Sequence, residues 1–287
     1  MGGFRGAVAL AVLTLASAFP SVHPVTTPGG SLVMSSAPAL ADDGIPPELA
    51  AQPADWYSNS TFVPVLMYHY VRVNPNPRDR TGFSLSVTPA MFHAQMDYLA
   101  RNHFRVLGLQ DVVWAMRTQH PLPPRSVVLT FDDGYADFYT AAAPELRRYG
   151  FTAITYVVTG FVGASGYLTW AQVTELDRQG FTIGAHTVHH AALGRLPLAQ
   201  ASWEMGQCKA TLEAVLGHPV THLAYPYGSF TGAVARQARD LGFESATSTR
   251  PGAWHPGWEL WSLHRMRVSG YASLWDFARL VGGPSPS

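Results

Sequence analysis

Two short segments, Thr130-Phe131-Asp132-Asp133-Gly134 and His186-Thr187-Val188-His189-His190, gather the residue types that hold metal ions and move protons. Two carboxylates forced together repel unless a cation neutralises one of them. On a continuing strand Asp132 and Asp133 would point to opposite faces. Gly134 ends the strand, so the chain can turn and let both side chains serve one site. His186 and His190 stand four residues apart, a spacing that lets two imidazoles share one helical or turn-like face and grip one ion. His189 points elsewhere on such a turn. Taken singly, each segment has a plainer reading: an Asp-rich turn after a strand, or a surface histidine cluster without a ligand. Together, two nitrogens and the Asp133 carboxylate suit Zn²⁺, with coordination left open for water and substrate. Cobalt, nickel or iron are the alternatives. Fe(II) in an oxygenase is one of these, although that use is more familiar on β-sandwich scaffolds.

If Asp133 is the ligand, Asp132 is left free as a general base. A divalent ion lowers the pKa of a water it binds from 15.7 toward roughly 7, so the set points to hydrolysis. An amide substrate adds a demand, because an amine leaves poorly unless it is protonated. A general acid must then approach from the far side of the reacting carbon. His69, at the end of the first strand, and His264, just before the last, are the two candidates, each against the commoner fate of a buried structural histidine.

The composition narrows the chemistry further. Cys208 is the single cysteine, so no internal disulfide and no Cys-based zinc cluster can form, and a metal must rest on His, Asp and Glu. With 19 Lys+Arg against 19 Asp+Glu, no long-range field draws the chain onto nucleic acid or anionic lipid. Nucleic acid is therefore not an expected partner.

These residues need elements to position them. Candidate strands run over Val63–Tyr70, Arg105–Leu109, Ser126–Phe131, Ala153–Val158, Phe181–Ala185, His222–Tyr225, Glu244–Thr247 and Met266–Val268. Amphipathic segments alternate with them: Pro89–Asn102, Ala136–Tyr149, Trp170–Gln179, Pro197–Leu216 and Thr231–Leu241. Several end at a glycine (Gly150, Gly180, Gly217, Gly242), where a left-handed cap is expected. This alternation is the grammar of β/α units on a parallel sheet. The expected fold is α/β, a single-domain distorted (β/α) barrel, TIM-like, of seven or eight strands. Each polar cluster falls at the C-terminal end of a strand, the mouth where such barrels carry their active sites.

The ends read differently. Ala7–Leu15 is an apolar run too short to span a bilayer and of signal-peptide length. Ala16-Ser17-Ala18 and Ala39-Leu40-Ala41 are both cleavage candidates, the second favoured because it abuts Asp42-Asp43. The expected organisation is a signal peptide over 1–41, a linker over 42–60, the barrel over 61–283 and a tail over 284–287. An exported, periplasmic or extracellular protein, with no stable membrane span after signal cleavage, is expected, and a monomer; a retained membrane anchor is the alternative.

With these residues in hand, the sequence resembles the polysaccharide deacetylase family, the NodB-homology domain of carbohydrate esterase family 4. Thr130–Gly134 matches its TFDDG motif, His186–His190 its H-[ST]-x-x-H motif, and Leu168-Thr169-Trp170 a family segment. The resemblance covers roughly Val63 to Val268. It implies a divalent metal on Asp133, His186 and His190, with Asp132 as base. Many members read Arg-Pro-Pro-Tyr-Gly where this chain has Ala224-Tyr225-Pro226-Tyr227-Gly228, so the arginine that steadies the base is missing; Arg265 or Arg267 is left to replace it. That form, with Met67-Tyr68-His69-Tyr70, resembles the branch acting on poly-β-1,6-N-acetylglucosamine of biofilms. There the acid comes from the N-terminal strand, hence His69, while His264 imitates the Leu-x-His motif of other branches. The Tyr227 backbone N–H would help bind the oxyanion, and Tyr70, Tyr135, Tyr225, Tyr227 and Trp170 are candidates to meet sugar units. The implied activity is removal of N-acetyl groups from a polysaccharide. Peptidoglycan or chitin deacetylation, O-acetyl esterase action and a non-catalytic carbohydrate-binding barrel are the alternatives.

Overall fold

Runs of β-branched and aromatic residues pair side by side into an eight-stranded parallel sheet, in a computed structural model that describes residues 60–76 and 78–286. In chain order the strands are β1 (Val65–Tyr68), β2 (Arg105–Leu107), β3 (Ser126–Phe131), β4 (Ile154–Val157), β5 (Thr182–Ala185), β6 (His222–Ala224), β7 (Ser245–Thr247) and β8 (Met266–Arg267). Their order across the sheet is β7-β6-β5-β4-β3-β1-β8, with β2 pairing the first half of β3. Every residue of β1, β3 and β4 is buried, as expected where both faces of a parallel sheet are covered. The sheet curls back on itself. Leu263, just before β8, bridges Thr247 of β7, and its N–H donates to Ala246 O at 2.9 Å. The result is a distorted (β/α) barrel whose strand ends all face one mouth.

Eight α-helices lie between and after these strands among the described residues: α1 (Arg80–Leu85), α2 (Pro89–Arg101), α3 (Leu109–Thr118), α4 (Ala143–Arg148), α5 (Trp170–Arg178), α6 (Leu198–Leu216), α7 (Gly232–Asp240) and α8 (Leu274–Leu280). The cap at Gly217 closes α6 with φ 78° and its N–H on Glu213 O. Gly150, Gly180 and Gly242, one residue beyond their helix caps, are left-handed too, their N–H groups donating three residues back. No helix among the described residues is long and apolar enough to cross a membrane. The segment expected as a signal peptide, 1–41, and the expected linker up to residue 59 lie outside the described residues.

Four local expectations change. The helix read over Ala136–Tyr149 splits into a π turn at Phe138–Ala142 and then α4. Pro144 is the cause. It has no N–H to donate and its ring collides with a carbonyl four residues back, so Ala143 reaches Phe138 O instead. The strand read to Leu109 stops at Leu107, because the Asp111 carboxylate accepts the Gly108 N–H at 3.0 Å and starts α3 there. The first strand is interrupted at His69: Tyr70–Val71 leaves β1 to pair with Ser86–Val87. Ser60, read as linker, opens a short antiparallel ribbon of Ser60–Phe62 on Trp254–Pro256.

Candidate active site

β3 ends at Phe131, and the chain then turns sharply. Asp133 and Gly134 take φ 76° and 72°, and a Cβ at Gly134 would sit 3.3 Å from the Val157 backbone. This double left-handed step brings both aspartates to the mouth. The His segment is not helical. It leaves β5 as a bent loop with Thr187 at φ 67° and His190 at φ 55°. Tyr227, in the loop after β6, is also left-handed at 59°. Non-glycine residues held there cost about 1–3 kcal/mol each and gather at functional sites.

The loop geometry converges three ligand atoms. Asp133, His186 and His190 each offer one atom within 4.8 Å of the others, the only such cluster of His, Cys, Asp and Glu among the described residues. Asp133 Oδ1 lies 3.3 Å from His186 Nε2 and 3.1 Å from His190 Nε2. His186 Nδ1 is 2.7 Å from Ala224 O, so the proton belongs on that nitrogen and Nε2 turns a lone pair toward Asp133. Asp133 Oδ1 itself is buried with no hydrogen-bond donor. Lone pairs facing one another in a buried place call for a cation, and two imidazoles with a carboxylate fit a divalent one. Burial pushes the Asp133 carboxyl up. With no cation between them, protons on the facing nitrogens of His186 and His190 would more than offset this and hold it below the ordinary carboxylate range, so proton and metal compete for the same nitrogens.

Asp132 is held differently. Arg265 grips it with a two-pronged ion pair, Nη1 to Oδ1 and Nη2 to Oδ2, both at 2.7 Å. The guanidinium is fully buried and also donates to Thr130 Oγ1 (3.0 Å) and Ser248 O (2.8 Å). Such bidentate geometry fixes the plane of a carboxylate. Burial acts to raise Asp132, yet Arg265, with His186 and His69 nearby, holds it below its ordinary value. Of the two arginines left open by the sequence, Arg265 makes the tether; Arg267 lies nearer the rim, with Nη2 3.4 Å from Ser84 Oγ.

An open cleft of about 740 Å³ contains His69, Asp132, Asp133, Tyr135, His186, His190 and Tyr227 in its walls. His264 is not among them. Its Nε2 instead pairs with the buried Glu259 carboxylate at 3.0 Å. Burial lowers the His69 imidazole, against the opposing pull of Asp132 and Asp133. Three of the residues expected to meet sugar, Tyr225, Trp170 and Tyr70, do not line the cleft. Tyr225 is fully buried, stacked on Phe230 at 4.6 Å with its hydroxyl donating to Trp261 O at 2.9 Å. Trp170 packs against the core at the start of α5 and does not line the cleft. Tyr70 is a buttress: its ring stacks on Tyr135 at 3.7 Å and carries the Arg72 guanidinium at 3.3 Å, which covers both faces.

Several lining residues went unread in the sequence, among them Phe161, Tyr167 and Thr249. So did Glu204, whose buried carboxylate binds the His loop from α6. A glutamate on the same helix face as Ala201, Met205, Cys208 and Leu212 was the available signal, since a charge at a core position must have partners.

Comparison with known proteins places this arrangement. A family model described as polysaccharide deacetylase matches residues 119–246. YxkH of Bacillus subtilis (strain 168), whose name is that of a polysaccharide deacetylase, is 32% identical over 208 residues, covering 72% of this chain and 71% of that protein. The poly-β-1,6-N-acetyl-D-glucosamine N-deacetylase of Escherichia coli (strain K12) is 25% identical over 240 residues; 69% of this chain matches only 36% of that enzyme. The structure of the Streptococcus pyogenes deacetylase PplD in complex with acetate superposes with a TM-score of 0.72 at 28% identity, over 77% of this chain and 98% of that one.

Proposed function

From membership of the polysaccharide deacetylase family, to which this chain belongs, we propose that it hydrolyses N-acetyl groups from N-acetylglucosamine units of an extracellular polysaccharide of the poly-β-1,6-linked type. The observation that carries the proposal is the ionised Asp132, locked by Arg265 beside the Asp133–His186–His190 set and not used as a ligand. A barrel that only bound sugar would have no use for a free base there. When bound, a divalent ion supplies the positive charge that acidifies water and polarises the acetamide carbonyl.

The chain's own residues supply the rest. Asp132 takes the proton of the attacking water as the new C–O bond forms. The Tyr227 N–H, on a loop fixed by its left-handed turn, steadies the negative charge developing on the carbonyl oxygen. His69 gives a proton to the glucosamine nitrogen as the C–N bond breaks, leaving acetate and a free amine. Tyr135, backed by Tyr70, and the exposed Tyr227 offer faces to the sugar.

The β-1,6 linkage is supported by the Tyr-Pro-Tyr-Gly form of the third motif and by the Escherichia coli relative. The export reading belongs to the same proposal, since a polymer of this kind lies outside the cell; amino-terminal sequencing of the mature chain recovered from periplasm or medium tests it. Acetate release from β-1,6-linked N-acetylglucosamine oligomers, chitooligosaccharides, peptidoglycan fragments and acetylxylan tests the substrate. Release from the first, abolished by chelator and restored by zinc, is expected. Release only from another polymer reassigns the substrate, and release from none favours a binding barrel.

A further inference from the structure

We infer that Glu204 is a positioning residue for the metal site: its buried carboxylate holds the Thr187–His190 loop in the conformation that aims His190 at Asp133. The inference rests on the reading that Asp133, His186 and His190 hold a divalent ion. Glu204 sits on the buried face of α6 and is 3% exposed. Its Oε2 accepts two successive backbone N–H groups of the loop, Val188 at 2.9 Å and His189 at 3.0 Å. Its Oε1 lies 2.9 Å from His189 Nδ1. A carboxylate is costly on an apolar helix face unless its lone pairs are filled, and here three donors of one loop fill them.

The two histidine ligands differ in what holds them. His186 is fixed independently of the loop, with its N–H on Val157 O at 3.0 Å and its ring on Ala224 O at 2.7 Å. His190 comes after the bend, and its ring is otherwise tied only to the hydroxyl of the exposed Tyr227, at 3.0 Å. Its aim therefore depends on the loop backbone. From one side the Thr159 and Gly160 N–H groups bind Thr187 O (3.2 Å) and Val188 O (2.9 Å). Glu204 supplies the other side of this clamp. The loop passes through two left-handed residues, Thr187 and His190, and β-branched Thr187 enters that region at a cost. Without the acceptor, Val188 and His189 would leave two N–H groups unpaired, and the loop would be free to relax away from Asp133.

The test is metal affinity in the full chain, stripped of metal by chelator and titrated with cobalt(II), with the visible absorption of the ion as readout. Two variants of similar length separate the roles. Glu204→Gln keeps an oxygen that can accept both N–H groups; Glu204→Met has none. Glu204→Met is expected to bind cobalt about 10- to 100-fold more weakly, with an altered absorption envelope, while Glu204→Gln stays within about fivefold of the parent. His189→Ala, which removes the side-chain arm alone, should behave as Glu204→Gln does. A merely structural role would lower the melting temperature of the metal-free protein and leave affinity and spectrum alone. Parent-like cobalt binding by Glu204→Met overturns the inference. Failure of Glu204→Met to fold, whether or not Glu204→Gln folds, also overturns it, because the carboxylate then serves the fold and not the site. If the parent chain itself binds no cobalt, the metal reading fails instead.

Discussion

Asp132 and Asp133 are neighbours in sequence, yet their surroundings assign them opposite tasks. Asp133 faces two imidazole nitrogens, and Asp132 faces a guanidinium. Asp132→Asn should therefore keep its metal, checked by elemental analysis, while acetate release falls by about 10²- to 10⁴-fold. Removing Arg265 instead strands a buried carboxylate. Arg265→Leu is expected to lose about 3–5 kcal/mol of stability in urea unfolding, with much of it recovered in the Arg265→Leu/Asp132→Asn double variant; simple additivity of the two changes would contradict the pairing. For the acid, His69→Ala should impair turnover and His264→Ala should not, because His264 is spent on Glu259 outside the cleft. Steady-state kinetics of both on one substrate decide it. At this scale the convergence of Asp133, His186 and His190 was legible, because two segments with plainer readings singly point to one divalent ion when taken together. The aromatics were not. The type of Tyr225 or Trp170 says nothing of which way its ring turns, and burial settled that. Arg265 and Arg267 stand two residues apart at the last strand, and only depth separates the buried partner of Asp132 from an exposed rim residue.

Among the elements, β6 and the ribbon around Trp254–Pro256 bury two histidines away from the cleft. His222 lies 2.9 Å from Ser245 Oγ, and His255 lies 3.0 Å from Val63 O. Burial, aided by Arg117 for the first and by His264 for the second, pushes both from the ordinary 6.5 down to about 4. In the unfolded chain these rings take up protons near pH 6.5, whereas in the fold they stay neutral until about pH 4. Stability is thus fully present above pH 6.5 and is lost as pH falls toward 4, by up to about 3 kcal/mol for each ring. Urea midpoints measured from pH 7 to pH 4.5 should fall steadily, and His222→Asn should flatten part of that slope. An unchanged slope in the variant would show that His222 is already charged in the fold. The strand and helix pattern was legible because apolar period and glycine caps repeat down the chain. The π turn at Pro144 and the break at His69 were not. The first comes from the N–H that Pro144 lacks, a cue that apolar period alone overlooks; the second comes from Tyr70–Val71 pairing with Ser86–Val87, of which periodicity carries no trace.

Taken whole, the molecule builds one mouth from the ends of consecutive parallel strands, so residues 69, 132, 133, 186, 190 and 227 meet there although the chain separates them widely. The lack of a cysteine cluster left nitrogen and oxygen as the only ligands, and the balanced charge suits a polymer that gains amines as acetyl groups leave. Metal-dependent deacetylation in this cleft is tested most directly by acetate release from β-1,6-linked N-acetylglucosamine oligomers, comparing metal-loaded, chelated and zinc-restored protein with metal-loaded Asp132→Asn. Release by the loaded parent, loss on chelation, recovery with zinc and near-silence of Asp132→Asn at full metal content is the expected pattern. Acetate release that survives both chelation and the Asp132→Asn change would contradict it.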